Sequence, residues 1–218
     1  NETAKAQRKS PVDEPTVLVI DKGKNVGNHI LSGAILDPVA LRELFPELNL
    51  QELPFGSPVT NDRVYTLLPS GKIPVPHFAL PPEMKNSRGC FIVSLAEMTR
   101  WLAEQCQAAG IEIYTEFAVT ELIRDGDRIA GAKIADKGLN KEGQPGESFT
   151  AGMDVMAKVT VLGEGTRGYL AQGLIRDFQL DAGKNPQVWA LGIKELVRIP
   201  KGRVSKGNVI HTFGYPLD

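Results

Sequence analysis

The sequence predicts an α/β fold that is incomplete, and three segments carry that expectation. Residues 16–20 (Thr-Val-Leu-Val-Ile) form a continuous apolar, β-branched run ending at Asp21. Such a run is expected of a strand buried on both faces of a parallel sheet. Residues 94–97 (Ser-Leu-Ala-Glu) are a capping box that opens a helix. Residues 159–168 read as a short buried strand, a Gly-Glu-Gly turn and the start of another helix.

The elements follow in order. After Asp21-Lys22-Gly23, Asp37 and Pro38 open a short helix through Leu44, with Asp37 as N-cap and Pro38 at the first helical position. Residues 46–82 are proline-rich and irregular, with a strand at 64–68 and an extended apolar loop at 73–82. The capped helix carries Leu95, Met98, Leu102, Cys106 and Ala109 at helical spacing, and Gly110 stops it. Cys106 therefore reads as a small core hydrophobe. Strands at 111–115, 119–124 and 128–135 come next, the last two joined by an Asp125-Gly126-Asp127 hairpin turn. Residues 137–148, rich in Gly and Lys, are expected as a surface loop. The strand at 159–162 leads into Gly163-Glu164-Gly165 and a helix over about 168–178. Residues 188–196 and 208–213 are expected as strands of a further sheet, and no internal repeat is visible.

Composition narrows the function. The chain has 218 residues and a net charge of −1, enough apolar mass for one large domain or one and a half. Without a basic cluster there is nothing to neutralise phosphates, which excludes nucleic acid as a partner. Cys90 and Cys106 are too few for a disulfide framework, and an iron–sulfur cluster usually needs about four cysteines. His29, His77 and His211 stand alone, with no carboxylate or cysteine at metal-ligand spacing. No nucleophile elbow or zinc motif occurs, so neither catalytic side chains nor metal ligands are assigned. Chemistry must be lent by a cofactor. No apolar run reaches the ~18 residues of a spanning helix. Residues 1–14 are polar and lack the apolar centre of a signal peptide. The chain does not begin with Met and stops in mid-pattern, so both ends are expected to be cuts.

Three features point to a ligand, each beside a plain structural alternative. A strand ending in an acid is the geometry in which a carboxylate accepts hydrogen bonds from adenosine ribose hydroxyls, and Asp21 fits it; such strand ends are also commonly structural. In the segment from Gly27 to Ala34, Gly27 and Gly33 let backbone approach a phosphate or a ring edge, and Ser32 offers a hydroxyl; an ordinary glycine-rich turn reads the same way. At Gly163, Glu164 and Gly165 a turn delivers free amides at a helix N-terminus, suited to an anionic or polar ligand or simply to a strand–helix connection.

The order of these features is similar to flavoproteins related to aromatic hydroxylases and geranylgeranyl reductases. A more specific resemblance is to the electron transfer flavoprotein–ubiquinone oxidoreductase family. It is carried by residues 19–22 (Val-Ile-Asp-Lys), 26–34, 44–46 (Leu-Phe-Pro), 58–63, 73–76 (Ile-Pro-Val-Pro), 192–196 (Gly-Ile-Lys-Glu-Leu) and 211–218 (His-Thr-Phe-Gly-Tyr-Pro-Leu-Asp). The resemblance implies an α/β fold with an incomplete FAD-binding Rossmann-like domain of hydroxylase and geranylgeranyl-reductase type, at 1–63 and 90–185. It adds part of an α+β quinone-binding, membrane-contacting domain at 64–89 and 186–218.

The implied activity passes electrons from reduced electron transfer flavoprotein, via a [4Fe–4S] cluster and FAD, to ubiquinone. Asp21, with Lys22 beside it, takes the ribose position, where relatives usually have Glu. Gly27, Ser32 and Gly33 match the flavin-side segment, Val119 the backbone contact to adenine, and Gly163, Glu164 and Gly165 the second flavin-proximal turn. Ile73, Val75, Phe78, Leu80, Gly214 and Tyr215 are placed near membrane and quinone. The association is peripheral and monotopic, at the bacterial inner membrane or the matrix face of the mitochondrial one. The cluster cysteines, the phosphate-binding glycine turn and most of the quinone site are expected outside this chain, which alone is not expected to run the full reaction. Two other readings stay open. One is an FAD-dependent hydroxylase or geranylgeranyl-reductase-like enzyme using NAD(P)H, and the other is a cofactor-free binding domain on the same scaffold.

Overall fold

A computed structural model describes residues 16–30, 33–85 and 89–216. In chain order the elements are β1 (Leu18–Ile20), β2 (Ala34–Leu36), α1 (Val39–Leu44), β3 (Gly56–Pro58), β4 (Asn61–Leu68), β5 (Gly71–Pro74), β6 (Phe91–Val93) and α2 (Leu95–Ala108). They continue with β7 (Glu112–Tyr114), β8 (Val119–Asp125), β9 (Arg128–Ile134), β10 (Lys137–Leu139), β11 (Pro145–Thr150), β12 (Asp154–Met156), α3 (Tyr169–Phe178) and β13 (Asn208–Gly214). The chain divides into two compact units, one of Asn1–Val26 with Gln105–Leu191 and one of Gly27–Glu104 with Gly192–Asp218. Sequence reasoning drew its boundaries elsewhere, at 63/64, 89/90 and 185/186.

The first unit holds the parallel pair β1–β7, the antiparallel sheet β12-β9-β8, the hairpin β10–β11 and α3. The β8–β9 hairpin turns at Gly126, whose φ of +60° needs no Cβ, as the Asp-Gly signal predicts. Gly131 lies where β12 runs closest: a Cβ there would sit 2.2 Å from the Val155 carbonyl oxygen. Residues 137–148, expected as a loop, contain most of the β10–β11 hairpin instead. Asn140 Oδ1 accepts from the amides of Glu142 (3.0 Å) and Gln144 (2.8 Å) and folds the turn, which composition alone does not reveal.

Two other expectations in this unit are corrected. β1 forms and ends at Asp21, but it is not buried on both faces. Among the described strands it pairs with β7 alone, and Val17, Leu18 and Val19 remain exposed. Residues 159–162 form no strand, and Val161 is 87% exposed. A β-branched run becomes a strand only where a neighbour takes up its backbone hydrogen bonds, and no described strand does so here.

The second unit contains the buried hydrophobic cluster. Leu41, Leu53, Phe55, Phe91 and Val93 are buried together, and Trp101 of α2 packs edge-on to Phe45 with ring centroids 5.0 Å apart. Two three-stranded sheets, β2-β6-β3 and β13-β4-β5, complete the unit. Helix α2 starts as predicted, Ser94 Oγ accepting from the Glu97 amide (3.4 Å), and Gly110 ends it at φ +80°. Helix α1 begins at Val39, one residue later than expected, yet Asp37 Oδ1 still takes the Val39 amide at 3.2 Å.

The region 46–82 is more ordered than its prolines imply. β4 extends over Asn61–Leu68 and β5 over Gly71–Pro74, because Pro74 sits at a strand end where no amide is needed. Single 3₁₀ turns follow at His77–Ala79 and Pro82–Met84. Residues 208–213 do form β13, parallel to β4, but 188–196 form no strand and lie exposed, with Leu196 fully so. The cause is the one seen at 159–162, apolar residues without a strand partner.

Candidate functional site

Asp21 stands directly after β1, placed by two backbone bonds. Its amide donates to the Tyr114 carbonyl (2.9 Å), and its carbonyl accepts from Phe117 (3.1 Å). That second bond brings Asp21 beside the chain entering β8, whose first residue is Val119. Asp21 and Val119, predicted to serve the ribose and the adenine, therefore lie in one neighbourhood. Asp21 Oδ1 accepts from the Gly23 amide at 2.6 Å, which fixes the carboxylate at the strand end. This is a structural duty for one of its two oxygens. Lys22 is exposed beside it.

Gly163, Glu164 and Gly165 precede α3 in the same unit. The Glu164 carboxylate turns back onto the helix, accepting from the amides of Leu170 (3.1 Å) and Ala171 (2.8 Å). Sequence reasoning offered those first-turn amides to a ligand, and the protein's own carboxylate holds them instead. Gly168 makes this possible, since a Cβ there would lie 2.7 Å from Glu164 Oε2 and 2.8 Å from its Cβ. Gly163 and Gly165 are open, with nothing within 4 Å of where a Cβ would stand. An Arg124–Asp177 ion pair (2.5 Å) ties α3 to β8, and the guanidinium hydrogen bond holds the Asp177 carboxyl below its ordinary value.

In the second unit, Gly27 and Gly33 both have positive φ, +84° and +85°. They do different work. Gly27 is buried, and a Cβ would meet the Ala96 carbonyl oxygen at 2.7 Å, so its glycine serves packing. Gly33 is exposed with open space over its Cβ position, and its carbonyl accepts the Lys194 ammonium. Ser32 lies outside the described residues, as do Leu217 and Asp218.

The residues placed near membrane and quinone lie on β5 and β13 and just after them. Ile73 pairs with Thr66, and Thr66 with Phe213, so Ile73, Phe213 and Leu68 share one sheet face, and all three are exposed. Phe78 is 86% exposed; Val75 and Gly214 are half-buried and Tyr215 is exposed. Leu80 departs from the expected apolar edge. At 7% exposure it packs inward, because the 3₁₀ turn at His77–Ala79 reverses the chain before it.

Sequence reasoning missed one pairing. His211 Nε2 lies 3.5 Å from Asp62 Oδ1, and the Asp62 side chain is 1% exposed. The two are far apart in sequence, and only the β13–β4 register brings them together. Among the described residues no group of His, Cys, Asp or Glu is arranged to hold a metal. No helix among them is long and apolar enough to cross a membrane. An open hollow of about 410 Å³ lined by Ile123, Arg124, Asp125, Arg128 and Met156 lies at the far end of β8 from Val119, so none of the predicted residues lines it.

No protein-family model matches the chain. Curated proteins do. The electron transfer flavoprotein-ubiquinone oxidoreductase of Pseudomonas aeruginosa is 41% identical over 208 residues, 94% of this chain and 38% of that protein. The mitochondrial proteins of the same name from Bos taurus and Homo sapiens are each 40% identical over 203 residues, 93% of this chain and 33% of theirs. The chain belongs to the electron transfer flavoprotein–ubiquinone oxidoreductase family. It spans about a third of the length of these relatives. Solved structures with partial likeness include the myxobacterial chondrochloren halogenase, an FAD-dependent halogenase (16% identity, 72% of this chain and 33% of that chain, TM-score 0.46). Another is a geranylgeranyl bacteriochlorophyll reductase-like protein from Thermoplasma acidophilum (20%, 66% and 31%, TM-score 0.41).

Proposed function

We propose that this chain carries part of the FAD site of an enzyme that passes electrons from reduced electron transfer flavoprotein to ubiquinone. The observation that carries this reading is the identity of about 40% across more than nine-tenths of the chain to oxidoreductases whose names state that donor and that acceptor. The [4Fe–4S] cluster of the whole enzyme is assigned to cysteines other than Cys90 and Cys106.

The residues present fit a flavin. In the first unit Gly163 and Gly165 keep open space where a Cβ would stand, as backbone approached closely by a flat ring or a ribityl chain requires, and Gly33 of the second unit, taken by itself, does the same. Asp21 keeps one carboxylate oxygen beyond its bond to Gly23, and that oxygen accepts the ribose hydroxyl in this reading. Val119 presents backbone to the adenine. FAD, when bound, supplies a store of two electrons that it exchanges one at a time. The chain's own residues bind and orient; none is assigned proton transfer. The Glu164 carboxylate holds the turn before α3 rigid and adds negative charge there, which bears on flavin affinity and potential rather than on bond-making.

The exposed face of Leu68, Ile73 and Phe213, with Phe78 nearby in sequence, is assigned to a peripheral contact with the membrane on the side where quinone enters. The inner mitochondrial membrane and the bacterial inner membrane are the two locations this implies.

The test is direct. The purified whole enzyme that contains this chain should carry the flavin absorption spectrum, be reduced by reduced electron transfer flavoprotein, and be reoxidised by a soluble quinone. Oxidation of NAD(P)H with no response to reduced electron transfer flavoprotein would reject the assignment in favour of a hydroxylase-like enzyme.

A further inference from the structure

We propose that Lys194 is a positioning residue for the flavin, its ammonium fixed on the Gly33 carbonyl so that a positive charge stands beside the turn lining the flavin. The proposal rests on the FAD reading above and assigns a role to a residue that reading leaves idle.

The block Gly192–Leu196 contributes nothing visible to the fold. It forms neither helix nor strand, and Ile193 and Leu196 are largely or fully exposed, so packing does not explain it. Lys194 nevertheless makes one specific contact. Its Nζ donates to the carbonyl of Gly33, a residue 161 positions away in sequence but in the same unit. Holding a long, exposed lysine in one place costs side-chain entropy, so such a tether calls for a reason.

The partner supplies it. Gly33 sits at φ +85° with open space above it, the one flavin-side glycine of this unit that a ligand can approach, since Gly27 is closed by Ala96. A carbonyl orients the ammonium without cancelling its charge. Among the described residues no carboxylate lies within ion-pair distance of Lys194. An ammonium has three donors, and Gly33 takes one of them. A fixed charge with spare donors beside the open side of Gly33 favours whichever ligand form is more negative, here the reduced flavin.

The flavin-loaded whole enzyme that contains this chain provides the experiment. Lys194→Met, Lys194→Gln and Lys194→Arg are compared with wild type, with Lys201→Met as a surface control. Flavin midpoint potential is read by spectroelectrochemical titration, FAD affinity by fluorescence, and thermal unfolding alongside. The proposal expects Lys194→Met to lower the midpoint potential and raise the FAD Kd about tenfold. Lys194→Gln, which keeps a donor without the charge, should lower the potential as well. Lys194→Arg should restore both values, and Lys201→Met should move neither. If Lys194→Met or Lys194→Gln shifts thermal stability alone, with potential and affinity at wild-type values, the Lys194 proposal is overturned while the FAD reading stands. A folded wild-type whole enzyme that takes up no flavin overturns both.

Discussion

A methyl group at position 168 would stand 2.7 Å from Glu164 Oε2, so the capping of α3 depends on a glycine. Gly168→Ala should release the Glu164 carboxylate from the amides of Leu170 and Ala171 and cost about 1 kcal/mol, the usual value of a lost cap. Glu164→Ala should cost a similar amount. Urea unfolding should show the double variant well short of the sum, because both changes remove one interaction. The paired glycines near the start of the chain separate in the same way. Gly33→Ala meets only the backbone penalty, about 1 kcal/mol, whereas Gly27→Ala must also displace the Ala96 backbone and should cost clearly more in the same unfolding measurement. These residues were legible as a class but not as individuals. The sequence marks Gly27, Gly33, Gly163 and Gly165 equally, and only the neighbours reveal which glycine admits a contact and which admits a ligand.

Elements whose signals are local came through. Helix α2 opens at its capping box and stops at Gly110, and the β8–β9 hairpin turns where Asp125-Gly126 directs it. Ser94→Ala should therefore destabilise by roughly 0.5–2 kcal/mol, read from the thermal unfolding midpoint. Elements that need a distant partner did not come through. Residues 159–162 and 188–196 have strand composition but no strand beside them, while Gly71–Pro74 looks like loop yet pairs with β4. The tie of α3 to β8 is likewise long-range, and it carries a pH signature. The Arg124 guanidinium hydrogen bond holds the Asp177 carboxyl below its ordinary value, as the Lys137 ammonium does for Glu116. A depressed carboxylate stabilises above its unfolded value and loses that contribution as pH falls through the folded one. Acid titration of stability should thus be shallower in Asp177→Asn than in wild type. Both pairs are exposed, so high salt should shrink the difference.

For the whole molecule, the family was legible in the sequence. The division at Val26, Glu104 and Leu191 follows from packing between segments distant in sequence. The proposed ribose role of Asp21 concerns a carboxylate at the end of β1, bonded to the Gly23 amide, with the chain entering β8 beside its backbone. The sharpest single measurement is the FAD dissociation constant of the wild-type whole enzyme against Asp21→Ala, taken on folded samples by flavin fluorescence. Wild type should bind FAD, and Asp21→Ala should bind it more weakly by about 1–3 kcal/mol, the range for a hydrogen bond to a charged group. An equal constant in the two proteins, with the fold intact in both, would contradict the account.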